Sequence, residues 1–209
     1  MNYFINYRKS GIILIILGER VTLMDVQIIE KYASRIHDAL QLEDNFDIIK
    51  VVTGLGGILE EGPLNSGVVA QLTDLSDTGN EPKFKIQTSD LIVSEARKRF
   101  SIAHELGHLF IHLGFLESEK WSENCKKSIV YHREEMSTGM EETEANTFAA
   151  AFLMPAEQFR RVADNNFDEN DGYNIEEIAN KFNVSRVSAY YRGVNLGIWI
   201  QWLIILDKS

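Results

Sequence analysis

One cysteine, three prolines and a shortage of basic residues, 21 against 31 acidic ones, narrow what this 209-residue chain can be. The lone thiol, Cys125, has no intramolecular disulfide partner, which points to a reducing compartment, the cytoplasm. Its neighbours Ser122, Glu123, Asn124, Lys126 and Lys127 are polar and form no nucleophile motif, so Cys125 reads as an exposed, idle thiol. The net charge of −10 argues against a dedicated DNA or RNA binder, which needs a basic surface. No apolar run near the N-terminus approaches the roughly 20 residues that span a bilayer. The longest there, Ile12 to Leu17, follows Arg8 and Lys9 like the start of a signal peptide. Only Gly18 separates it from the charged Glu19 and Arg20, with no small-residue cleavage site, so no export signal and no membrane partner are expected. Gly18-Glu19-Arg20 can be encoded by purine-rich codons like those of a ribosome-binding site, and Met24 follows at a suitable distance. The expectation is that translation starts at Met24 and that residues 1–23 are upstream sequence or a peripheral extension. N-terminal sequencing of the native protein tests this, and a chain beginning at Met1 would refute it.

A hydrophobic share of 44% and a charged share of 25% are those of an ordinary globular protein. Residues 25–42 form an amphipathic helix capped by Asp25, with Ile28, Ile29, Tyr32, Ile36, Ala39 and Leu40 at helical spacing. Phe46 to Val52 is apolar but of ambiguous type and ends at Gly54, Gly56 and Gly57. Short strand-like runs follow at Gly57–Glu60, Val68–Leu72 and Lys83–Gln87, separated by Gly-, Pro- and Asn-bearing turns, as in a small, mostly antiparallel sheet. Ser94 to Leu113 is a strong helix, and residues 114–138 read as a long loop with at most one short helix. Met140 to Leu153 is helical again. A further helix follows Pro155, since proline suits a first helical turn. Ile175–Phe182 and Ser185–Val194 form a helix pair, and Ile198–Leu206 is a terminal strand that pairs with residues 12–17 or with the central sheet.

The chemistry lies in His104-Glu105-Leu106-Gly107-His108. On a helix, residues four apart share a face, so His104 and His108 can bind one ion. Zinc accepts neutral imidazole nitrogens and keeps a position open for water, whose pKa falls towards about 7. Glu105 adjoins the first ligand and can take that water's proton as general base. Gly107 is costly inside a helix, by about 1 kcal/mol relative to alanine, which implies close packing at that point. His112 continues the spacing, but the rise from His104 is roughly 12 Å, too far for one ion, so His112 is read as structural. The third ligand must come from elsewhere, and the downstream acids are Glu117, Glu119, Glu123, Glu134, Glu135, Glu141, Glu142 and Glu144. Glu144 is preferred, because Ala145, Ala149, Ala150 and Ala151 let its helix pack closely on the motif helix while Phe148 and Phe152 anchor it.

Two segments carry a family resemblance: Arg99-Phe100-Ser101-Ile102-Ala103-His104-Glu105-Leu106-Gly107-His108, and Glu144-Ala145-Asn146 continuing through Phe148-Ala149-Ala150 and Phe152-Leu153-Met154-Pro155. A more generic third part runs from Ile178-Ala179 through Phe182, Val184-Ser185 and Arg192 to Leu196-Gly197. Together they resemble the ImmA/IrrE family of metallopeptidases over residues 25–197. The resemblance implies an α+β fold with a zincin-like metallopeptidase core, Zn2+ held by His104, His108 and Glu144, and Glu105 as catalytic base. It also implies a protein substrate, a helix-turn-helix repressor of a phage or mobile element. One departure stands out. Thermolysin-like enzymes place an Asp four residues after the ligand Glu to hold a metal-bound His, and four residues after Glu144 stands Phe148. Glu141 and Asn146 remain candidates for that task, and Tyr131 and His132 are candidates to stabilise an oxyanion.

The expected organisation is residues 1–23 as the extension, 24–165 as the metallopeptidase domain, and 166–209 as a helix-turn-helix-like pair plus terminal strand packed on it. The alternative function is a regulatory protein-binding or DNA-binding module that uses this pair. Lys181, Arg186 and Arg192 against Glu176 and Glu177 leave a net charge of only +1 there, which disfavours direct phosphate contact.

Overall fold

The fold is described from a computed structural model covering residues 25–65, 67–74, 83–115, 121, 130–134 and 139–199, with the backbone alone at 74 and 130–134. Cys125, Glu117, Glu119, Glu123, Glu135, the 1–23 segment and Ile200–Leu206 lie outside these residues. No helix among the described residues is long and apolar enough to cross a membrane.

The protein is of mixed α+β type. Helix α1 (Val26–Ala39) is capped by Asp25, whose carboxylate accepts from the Gln27 amide at 3.1 Å. Its buried face carries Ile29, Tyr32, Ala33 and Ile36. The ambiguous 46–52 segment is a short helix, α2 (Ile48–Gly54). Asp47 sits just outside it and caps it, with the Ile49 amide 2.9 Å from its Oδ1. That cap decides the segment's type, because a satisfied first turn favours helix where an apolar run alone does not.

Strands β1 (Gly57–Gly62), β2 (Val68–Asp74), β3 (Phe84–Ser89) and β4 (Val130–Glu134) form one sheet in the order β1-β3-β2-β4. β1 runs parallel to β3, while β2 is antiparallel to both β3 and β4. The sheet is therefore mostly antiparallel, with one parallel pairing at the β1 edge. β4 corrects the reading of residues 114–138 as loop with at most one helix. Its five mixed residues give no strand signal alone; pairing with β2, with Tyr131 opposite Leu72, supplies the missing stabilisation.

Helix α3 (Glu95–Gly107) starts at Ser94 and passes into a wider π turn over His108–His112, closed by the Leu113 amide on the His108 carbonyl at 2.9 Å. The predicted single helix is thus one α segment ending in a π turn. Helix α4 (Met140–Leu153) packs along α3 and α1. The core between these layers contains Val52, Leu72, Phe84, Ile86, Leu106, Phe110, Phe148 and Phe152. His37 is 1% exposed, with its ring edge-on to Phe46 and Phe152. Burial lowers its pKa below the ordinary imidazole value, outweighing the opposing pull of Asp38 and Asp44. Folding therefore favours neutral His37. Its contribution is fully present above about pH 6.5 and is lost as pH falls through the depressed folded-state value, at no more than about 1.4 kcal/mol per pH unit. His37→Phe is expected to flatten that part of the acid limb in urea unfolding measured from pH 7 to 5.

Helix α5 (Ala156–Asp164) follows Pro155 and leads to a two-stranded ribbon, β5 (Phe167–Asp168) with β6 (Gly172–Tyr173). Helices α6 (Ile175–Phe182) and α7 (Arg186–Asn195) come last, joined through Asn183 at φ 50° and capped by Ser185. Arg192 ties α7 to the rest of the fold. It is 1% exposed, donates from Nε to the Met154 carbonyl at 2.9 Å and from Nη2 to Glu30 at 2.8 Å, and pairs with Glu30 through Nη1 as well. Removing one partner of a buried ion pair leaves the other charge uncompensated. Arg192→Ala is therefore expected to cost about 3 kcal/mol in denaturant unfolding. Of the predicted terminal strand only Ile198 and Trp199 are described, and they form a bend. Trp199 folds back on α7, its indole N–H donating to the Tyr190 carbonyl at 3.0 Å and its ring lying over Gly193.

Candidate metal centre

The crossing of α3 and α4 builds the site. Gly107 meets Ala145 there, and a Cβ on Gly107 would lie 3.0 Å from the Ala145 Cα and 3.1 Å from its carbonyl oxygen. This is the close packing that the helix-interior glycine implied. Gly107→Ala would gain about 1 kcal/mol of helix propensity but forces two backbones apart, an overpacking that costs about 1–3 kcal/mol. We expect net destabilisation in urea unfolding together with a disturbed His104–His108–Glu142 cluster, because the displaced helix carries Glu142.

Ala145 at the crossing also decides which acid reaches the histidines. With Ala145 at zero and about 100° per residue, Glu142 and Asn146 fall near +60° and +100°, on one flank, while Glu144 falls near −100°. The contacts follow that division. Glu142 places Oε2 3.1 Å from His104 Nε2 and Oε1 3.2 Å from His108 Nε2, and the two Nε2 atoms are 3.1 Å apart. His104, His108 and Glu142 form the group able to hold a metal ion among the described residues. Glu144, the acid preferred from sequence, lies on the other flank, with Oε2 3.0 Å from His112 Nε2. The signal that could have found Glu142 was the four-residue spacing counted from it. The residue four after Glu142 is Asn146, whose Oδ1 lies 2.9 Å from His104 Nδ1. The position that Phe148 leaves empty in a count from Glu144 is thus filled in a count from Glu142.

Hydrogen-bond logic assigns the tautomers. An amide oxygen only accepts, so His104 Nδ1 carries the proton and its Nε2 presents a lone pair towards His108 and Glu142. Burial lowers the pKa of His108, against the opposing effect of Glu142, and so favours the neutral ring that can ligate a metal. Burial pushes the Glu142 carboxyl up, but its contacts with the two imidazoles outweigh this and hold it well below the ordinary carboxylate range. Two imidazole nitrogens and a carboxylate that converge without a proton for each gap form a donor set suited to a cation. Glu105 is fully buried one residue after His104, on the same helix. His112 stands outside the group, and its Nδ1 lies 2.8 Å from His108 Nδ1. Tyr131 and His132 fall on β4, opposite Leu72 and Gln71 of β2. Glu141, the other residue considered for holding a metal-bound histidine, is exposed.

No curated protein matches the chain. Among solved structures, a Mycobacterium tuberculosis transcriptional regulator is similar at TM-score 0.49 and 16% identity, over 79% of this chain and 46% of that one. The chain therefore spans just under half the length of that regulator. Residues 86–193, from β3 to α7, match Peptidase_M78, the IrrE N-terminal-like domain. This stretch is more than half of the chain and holds both helices of the site, so the chain belongs to the ImmA/IrrE family of metallopeptidases.

Proposed function

We propose that the chain is a zinc-dependent endopeptidase that cuts a regulatory protein, a helix-turn-helix repressor. The observation that carries this reading is the convergence of His104 Nε2, His108 Nε2 and Glu142 within hydrogen-bond distance of one another, next to buried Glu105. The donor set of two imidazoles and one carboxylate fits zinc and leaves a fourth position open. Zinc bound there supplies a Lewis acid for the carbonyl and a water of lowered pKa. Glu105 would serve as the general base for the attacking water and would return the proton to the leaving nitrogen. Asn146 holds the His104 ring through Nδ1, and Glu142 would both ligate the metal and offset its charge.

Two features support a protein substrate. Among the described residues β4 stands at the edge of the sheet and contacts α3, which would let an extended peptide pair beside the site. A groove of about 1000 Å³ reaches from Asn146 to exposed Val187 and Tyr191 on α7, with Val26 at its rim. It gives a partner protein an apolar footing beyond the cleaved bond. Buried Arg192, one of the three basic residues counted for phosphate contact, is engaged by Glu30, which favours docking of protein over DNA by this helix pair. The test is incubation of the zinc-loaded full chain with candidate helix-turn-helix repressors from the same genome, with fragments read by mass spectrometry. Fragments with the wild type and none with Glu105→Gln support the reading; equal fragmentation by both contradicts it.

A further inference from the structure

The contacts of His108 reach further than the three metal-ligand candidates. Its Nδ1 lies 2.8 Å from Nδ1 of His112, and Nε2 of His112 lies 3.0 Å from Oε2 of Glu144. His112 is 7% exposed and Glu144 15%, so the chain of contacts is largely shielded from water. The π turn carries His112 at the end of the motif helix, with its ring centroid 4.8 Å from that of His108. From this geometry, and building on the metal-centre reading above, we propose that Glu144 and His112 are positioning residues that fix the ring orientation and tautomer of His108 so that its Nε2 faces the metal.

A carboxylate only accepts, so His112 carries its proton on Nε2 and donates it in a hydrogen bond to Glu144. Neutral His112 then has a bare Nδ1, which accepts from His108 Nδ1–H. That places the His108 proton on Nδ1 and turns the Nε2 lone pair towards the centre, 3.2 Å from Glu142 Oε1 and 3.1 Å from His104 Nε2. The opposite arrangement, with His108 protonated on Nε2, aims a hydrogen into the centre and cannot ligate. Outer-shell partners that orient a metal-bound imidazole in this way change metal affinity by about 10–100-fold. His104 is held by Asn146 and His108 by the His112–Glu144 pair, so each of the two imidazoles has its own support from α4, one directly and one through a second imidazole. This gives Glu144 a role distinct from ligation and gives His112 a role despite its distance from His104.

The test has two readouts on the full chain: zinc affinity by chelator competition, and the His108 tautomer by long-range nitrogen–proton NMR of histidine-labelled protein without added metal. In the wild type His108 should carry its proton on Nδ1. Glu144→Ala and His112→Phe should each shift His108 towards the Nε2–H form and weaken zinc binding about 10–100-fold. The double variant should bind zinc no more weakly than His112→Phe alone, because both residues act through one path. Wild-type His108 protonated on Nε2, or a tautomer unmoved by either substitution, overturns the proposal. So does a further loss of zinc when Glu144→Ala is added to His112→Phe, which would make Glu144 a direct ligand. Should His112→Phe fail to fold, Glu144→Ala alone decides through the tautomer. If the predicted tautomers appear but the wild type does not bind zinc, the positioning pair stands and the metallopeptidase reading fails.

Discussion

Glu105→Gln is expected to keep zinc binding and to lose peptide cleavage by about 10²–10⁴-fold, the usual contribution of a positioned general acid or base. The substitution is close to isosteric, so the buried side chain's packing is conserved. It also leaves the three clustered side chains His104, His108 and Glu142 unaltered. What it removes is the ability to accept and return a proton. In barrier terms the loss is about 3–5 kcal/mol, too large for a change in substrate binding alone and visible in kcat under saturating substrate. The check is kcat for a cleavable repressor fragment, measured beside zinc content on the same sample. A variant that cleaves at the wild-type rate removes Glu105 from the chemistry; one that loses zinc as well would give it a ligating or structural role.

Glu142→Ala is the second large effect. It removes the one carboxylate of the three-member group and leaves two imidazoles 3.1 Å apart at Nε2. Zinc affinity should fall by more than the 10–100-fold expected for an outer-shell partner, and so by more than in Glu144→Ala. The same difference should appear in stability. A ligand present at 100 times its Kd stabilises the folded state by about 2.7 kcal/mol, so added zinc should raise the Tm of the wild type and leave that of Glu142→Ala nearly unchanged. If Glu144→Ala is the variant that loses the zinc response, the acid preferred from sequence is the ligand and the flank assignment around Ala145 is wrong.

The choice between these two acids shows where sequence reading stops. The pairing of His104 with His108 is legible because two imidazoles four residues apart on one helix need no tertiary information. The helices that carry the site are legible too, from the alanine- and phenylalanine-rich run at 145–153 and the glycine at 107. Which face of α4 meets α3 is not. It depends on Ala145 meeting Gly107, and a rotation of one residue, about 100°, is enough to bring Glu144 to the crossing and turn Glu142 away from it. Counting four residues back from Asn146 would have found Glu142, but only once Asn146 was known to hold His104. The π turn at His108–His112 escaped because it uses the same residue types as the α-helix it extends. β4 escaped because its stability resides in its pairing with β2 rather than in its own residues. Asp47 resolved the ambiguous 46–52 segment through a hydrogen bond that no apolar pattern records.

The central claim is that one metal ion sits between His104, His108 and Glu142. X-ray absorption at the zinc edge on the zinc-loaded full chain tests it most directly. The expected result is one zinc per chain with two imidazole nitrogens and carboxylate or water oxygens at about 2.0–2.2 Å, the oxygen shell changing in Glu142→Ala and persisting in Glu144→Ala. A centre with three imidazoles, which would bring His112 into the ligand set, or a spectrum unchanged by Glu142→Ala, would contradict it.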